Sequence, residues 1–297
     1  MKTYKVICPL FGFQIQNILI GRADLTEDEA TKLLMERGQK LVEGIDLISG
    51  VKVRRISRED FEDLATPIPT MHTYAKELSP SMFVLEKHIT IENQHQFEAN
   101  RIMQNIILAL RLMKKGNVSG SYVFYVLVSE KRRLESWSWD EEQKTSETFS
   151  FPFTYILRFE DIPTLREISE KIAAIDFAKR KNLDKAFKRF QRAYQETDPE
   201  DQLIDFLIAF EALFLKGEKA GESRGDIIAI ACSHLLGKNE QEREEVRQFL
   251  TKAYSIRNCI VHGSEYRKPT VDKEYEMPEF VSRIEGFLRE STRKLLD

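Results

Sequence analysis

The sequence predicts an α+β N-terminal domain, residues 1–160, followed by an all-α helical bundle, residues 161–297. Three observations lead there. Before residue 160, β-prone runs alternate with helical patterns; after Phe159 the apolar period changes from two to about 3.6 and stays there. The length of 297 residues suits two ordinary domains. A hydrophobic fraction of 42% with 31% charged residues supplies material for buried cores and excludes a disordered chain. The longest apolar stretches, 206–215 and 227–232, are too short to span a bilayer and are interrupted or flanked by charge, so no membrane partner is expected. The first 17 residues reach Gln14, Gln16 and Asn17 before any small-residue cleavage site, which points to a cytoplasmic protein. Cys8, Cys232 and Cys259 are odd in number and far apart, so neither a disulfide framework nor a zinc knuckle is expected.

In the first half, Thr26 and Glu29 have capping-box spacing ahead of a helix carrying Leu33, Leu34, Arg37 and Leu41. Residues 82–91 and 121–128 read as strands, and 94–114 between them as a helix. From Phe149 to Phe159 the odd positions are Phe149, Phe151, Phe153, Tyr155, Leu157 and Phe159, the period of a strand with one buried face. Pro152 suggests an edge or a bulge there. Such an aromatic face also suits base stacking, but packing on a helix explains the same alternation and is commoner. Residues 131–147 are polar and read as a long exposed connection, with Trp137 and Trp139 either tucked back or open to a partner.

In the second half, Leu183, Phe187, Phe190 and Tyr194 make one helical stripe. Around it, residues 179–192 hold seven Lys or Arg against one acid, Asp184. Asp198-Pro199 caps a helix running to about Leu215 that is apolar nearly all round, as befits the inside of a bundle or a subunit interface. A third helix, about 225–236, ends at Gly237. A fourth begins near Glu240, in an acidic first turn that suits the helix dipole, and carries Val246, Leu250, Ala253, Arg257 and Ile260 to a stop at His262-Gly263. After a polar loop, Pro278 opens a last helix with Phe280, Ile284, Phe287, Leu288 and Leu295.

Phosphate-loop, dinucleotide-binding, nucleophile-elbow, zinc-protease and EF-hand patterns are all missing. His72, His88, His95, His234 and His262 lack metal-ligand spacing. Neither a metal nor a cofactor is expected. A net charge of −3 removes any whole-chain argument for nucleic-acid binding and leaves only a local basic surface. The residues that need explaining close the fourth helix. Arg257 falls on an apolar stripe, where an unpaired cation would be expensive, and Glu211 poses the same problem after Ile204 and Ile208 on the second helix. Pairing Glu211 with Arg257 relieves both. His262 is four residues after Asn258, so the two are neighbours on a continuing helix, whereas Arg257 lies about 140° away. The helix C-terminus favours a cation, which suits His262 to a proton-transfer role.

Arg257-Asn-Cys-Ile-Val-His262 resembles the R-x4-6-H motif of the HEPN superfamily. Together with LIDFLIAFEALFL at residues 203–215 and AYSIRNCIVHG at 253–263, it is similar to the Apea-like HEPN family. The resemblance covers about residues 182–297 and leaves the N-terminal half unexplained. It implies an HEPN-like helical bundle that forms a homodimer, bringing two motifs to a shared cleft. It also implies a metal-independent endoribonuclease, often a toxin or antiviral effector, with RNA as substrate.

The residue types agree with that chemistry. RNA supplies its own 2′-OH nucleophile, so cleavage needs proton transfer and stabilisation of charge on the phosphate, with no metal required. Arg257 would bind the phosphate, His262 would act as acid or base, and Asn258 would orient His262 or meet the substrate, with Glu211 and Tyr254 in support. Lys185, Arg189, Arg192, Arg267 and Lys268 are candidate contacts to the RNA backbone, though solvated surface charge accounts for them equally well. The N-terminal domain would sense an unidentified trigger or restrain the bundle. Two other readings stay open: a non-catalytic module binding nucleotide, RNA or a protein partner, and a structural ion-pair network. A thiol nucleophile at Cys259 is less favoured, because Ile260 and Val261 flank it and no third orienting residue is evident.

Overall fold

The structure of the protein, a computed structural model, describes residues 2–19, 24–65, 78–91, 96–120, 122–128, 133–139, 154–215, 223–263 and 276–296. It combines antiparallel sheet with helix and divides into two compact units. One comprises Met1–Glu147 with Pro152–Ala173, the other Ala174–Asp297 with Thr148–Phe151. No described helix is long and apolar enough to cross a membrane.

The first unit is built on strands β1 (Lys2–Leu10), β2 (Phe13–Gln16), β3 (Ile45–Asp46), β4 (Val51–Arg55), β5 (Phe83–Ile91), β6 (Tyr122–Leu127), β7 (Arg133–Trp139) and β8 (Tyr155–Arg158), with helices α1 (Glu27–Glu43), α2 (Arg58–Ala65), α3 (Gln96–Met113) and α4 (Ile162–Ala173). Six strands form an antiparallel sheet in the order β3-β4-β5-β1-β6-β7. Strand β1 lies at its centre, between β5 and β6: Val6, Ile7 and Cys8 are all fully buried, and since successive side chains point to opposite faces, both faces are covered there. Burial pushes the Cys8 thiol up to about 12, so it is an inert core group. Residues 133–139, expected within an exposed connection, instead form edge strand β7, because β6 offers its second backbone edge for pairing. Trp137 and Trp139 lie on this strand, with side chains outside the described set.

The alternation expected before Phe159 is present where it is described. Tyr155 and Leu157 are fully buried and Arg158 exposed, while Phe149, Phe151 and Phe153 lie outside the described residues. That strand joins β2 in a separate parallel pair, with Phe13 stacked on Tyr155 at 5.8 Å. Thr26 and Glu29 complete their reciprocal capping box at the start of α1. The change of period at Phe159 precedes the division between units by one helix, since α4 packs on α3.

An ion network closes the space under α2. Asp60, fully buried, accepts from Lys5 Nζ at 2.6 Å, Arg54 Nη2 at 2.5 Å and Ser57 Oγ at 2.7 Å, while Arg54 Nε also donates to Glu86 at 2.8 Å. Burial by itself would raise the Asp60 pKa; the bonds from Lys5, Ser57 and Arg54 outweigh it and hold the carboxyl well below the usual range.

The second unit contains α5 (Lys181–Ala193), α6 (Pro199–Phe214), α7 (Arg224–Leu236), α8 (Glu240–His262) and α9 (Met277–Leu296). Asp198 caps α6 by accepting from the Glu200 N–H at 2.8 Å, with Pro199 in the first turn. Helix α6 is apolar nearly all round because it is the central helix, packed by α5, α7, α8 and α9. Leu203, Phe206, Leu207 and Phe210 are fully buried along it, and Phe206 meets Phe190 of α5 at 5.9 Å. Gly237 ends α7 for a reason other than a left-handed cap: its φ is −76°, but a Cβ would come within 2.6 Å of Arg243 Cγ and 2.7 Å of Arg243 N. The requirement is close approach of α8 rather than backbone conformation.

Candidate functional site

The site is assembled where α8 crosses α6. Asn239 caps α8 by accepting from the Glu242 N–H at 2.9 Å, and the helix then runs 23 residues to His262. Val246, Phe249, Leu250, Ala253 and Tyr254 are buried. Tyr254 donates its hydroxyl to the Leu207 carbonyl of α6 at 3.3 Å. Burial and then the nearby Glu211 charge raise the Tyr254 pKa, against an opposing effect of Arg257, so the hydroxyl stays protonated.

About one turn further along both helices, Arg257 Nη2 stands 3.9 Å from Glu211 Oε1. The pairing expected from two charges on apolar stripes is therefore present. Both side chains are partly buried, 26% and 19% exposed. At 3.9 Å the contact is an ion pair without a hydrogen bond. Nη1 donates to Asn258 Oδ1 at 3.2 Å, and Nε is buried with no hydrogen-bond partner among the described residues.

His262 is exposed in the last turn. Among the described residues, no hydrogen bond or ion pair joins it to Arg257 or Asn258. The 140° between positions 257 and 262 explains this: Arg257 turns toward α6 while His262 turns outward. The helix runs on through His262, so Asn258 and His262 keep the i, i+4 placement expected of them, without a hydrogen bond between them; Asn258 accepts from Arg257, an i, i+1 contact of which helical spacing gives no sign.

Gly263 closes the helix in the left-handed region at φ +62°, its N–H donating to the Ile260 carbonyl at 3.2 Å. A Cβ there would meet nothing within 4 Å, so substitution acts through the backbone alone. Gly263→Ala is expected to destabilise the second unit by about 1 kcal/mol and Gly263→Asn by less, because Asn tolerates this conformation. Hydrogen exchange of the last α8 amides checks the order; equal protection in all three proteins would refute it.

The basic candidates separate by partner. Arg189 Nη1 lies 2.6 Å and Arg192 Nε 3.3 Å from the buried Asp205 carboxylate of α6, so both hold α5 to α6. Lys185 is exposed on α5. Arg267 and Lys268 lie outside the described residues. Among the described residues, no group of three or more His, Cys, Asp or Glu is placed to hold a metal ion. Comparison of the chain with protein-family models, curated proteins and solved structures finds no match.

Proposed function

We propose that the second unit is an HEPN-type bundle and a metal-independent endoribonuclease, part of a defence or toxin-like effector. One observation carries the reading. A half-buried arginine with unused donors is held at a helix crossing, five residues before an exposed histidine at the helix end. Arg257 would donate to the non-bridging oxygens of an RNA phosphate. A base takes the proton of the 2′-OH, the 2′ oxygen bonds to phosphorus, and the P–O5′ bond breaks as an acid protonates O5′. The products are a 2′,3′-cyclic phosphate and a 5′-hydroxyl. His262 serves one of the two proton transfers, and His262 of a second copy serves the other in a homodimer. Asn258 steers Arg257, and Tyr254 anchors α8 to α6 beside it. The first unit would sense a trigger or restrain the bundle.

The separation of His262 from Arg257 within one chain favours a second reading, a non-catalytic module that binds nucleotide, RNA or a protein partner through Arg257. Incubation of the purified protein with a mixed RNA pool in EDTA, followed by analysis of fragment ends, tests the first. New 2′,3′-cyclic phosphate ends support it. RNA left intact by a preparation that assembles normally and binds RNA through Arg257 would favour the second.

A further inference from the structure

Glu211 puts a carboxylate beside the arginine assigned to phosphate, and a negative charge there works against the anion. Arginine–carboxylate pairs frequently close to hydrogen-bonding distance in a two-pronged arrangement. Here Nη2 stays 3.9 Å from Oε1, and Nε is buried without a hydrogen-bond partner among the described residues. The carboxylate therefore shapes the field around the guanidinium without using up its donors. Among the described residues, the group that accepts from this guanidinium is the neutral Asn258 amide, and the Tyr254 hydroxyl one turn earlier on α8 is bonded to the Leu207 carbonyl.

We propose that Glu211 is a charge filter, a specificity-determining residue that shifts the Arg257 site toward singly charged phosphodiesters and away from doubly charged phosphate monoesters. The inference rests on Arg257 being the phosphate-binding residue. Its physical basis is the linearity of Coulomb energy in ligand charge. Glu211 subtracts from the positive potential at the anion position, so it weakens a dianion twice as much, on a logarithmic scale, as a monoanion. Solvent screening scales both effects together and leaves their ratio at two. An internal RNA linkage carries one charge, whereas a terminal phosphate carries about 1.5 to 2 near neutral pH. The filter therefore turns the site toward the interior of an RNA chain and away from its phosphorylated ends.

The test uses full-length protein labelled with 15N-arginine. The Arg257 Nε–Hε resonance is identified by its loss in Arg257→Lys. Dimethyl phosphate, a monoanion, and methyl phosphate, a dianion at pH 8, are titrated at constant ionic strength into wild type, Glu211→Gln and Glu211→Asp. Glu211→Gln is expected to bind both ligands more tightly, with a gain of about threefold for the diester accompanied by about ninefold for the monoester. Glu211→Asp keeps the charge and should follow the wild type, which separates charge from disturbed packing. Equal gains, weaker binding in Glu211→Gln, or an Arg257 resonance that responds to neither ligand would each overturn the filter. RNA cleavage by the same preparations keeps the two ideas apart. The expected ratio of gains without cleavage preserves the filter and favours the binding module over the nuclease; Arg257-dependent cleavage with equal gains supports the nuclease and overturns the filter.

Discussion

Replacing His262 by alanine is expected to reduce RNA cleavage by about 10²–10⁴-fold, the range over which a positioned acid or base accelerates proton transfer. Stability should change by less than about 0.5 kcal/mol, because the side chain is exposed and joined by no hydrogen bond or ion pair to the described residues. That contrast makes the variant informative: a fold-preserving loss of turnover is what a chemical role produces. Single-turnover cleavage in EDTA, with the melting profile and sedimentation of the same preparation, provides the check. Cleavage within tenfold of wild type would remove His262 from the mechanism. A variant that fails to assemble would move it to the interface. Arg257→Ala is a less clean experiment, since it leaves the partly buried Glu211 carboxylate without its counter-ion and so disturbs structure and phosphate binding together.

The second large effect is expected in the first unit. Asp60→Ala should destabilise that unit by about 3–5 kcal/mol, because Lys5 and Arg54 lose their fully buried acceptor and the uncompensated charge remains. The chain has two units and global unfolding need not be two-state, so hydrogen exchange of the β1 amides, Val6 to Cys8, is the suitable measurement. The sign of the pH dependence follows from the depressed Asp60 pKa. Its contribution is fully present above the unfolded value of about 3.9 and is lost as pH falls through the lower folded value. Wild-type β1 protection should therefore decline below about pH 4 more steeply than in Asp60→Asn, which has no such group to titrate. Parallel declines would show that Asp60 does not govern acid stability.

Much of the second unit was legible from local pattern. The nearly all-round apolarity of residues 203–215 marked α6 as central, and Asp198-Pro199, the acidic first turn at Glu240 and Gly263 marked helix ends through chemistry within a few residues of each end. The Glu211–Arg257 pair was legible at long range for a different reason: two charges on apolar stripes are each too costly to bury unpaired, so each implied the other. The first unit gave less away. Residues 2–10 mix Lys2 and Lys5 with apolar neighbours, and nothing local distinguishes them from an edge segment. β5 and β6 make them the sheet centre, and those partners lie about 80 and 120 residues away. Residues 133–139 became a strand for the same reason, because the exposed edge of β6 recruits backbone irrespective of polar side chains.

Within the site, residue types and spacing specified which side chains α8 carries, where it ends and that Arg257 needs an acid. Only the packing of the helices on α6 decided that Tyr254 bonds to Leu207, that Asn258 accepts from Arg257, and that Arg189 and Arg192 reach Asp205. Helical period reports angles around one axis. Which of those angles meets another helix, and which meets solvent, is set by contacts between residues far apart in sequence, and these exist only once the bundle has formed.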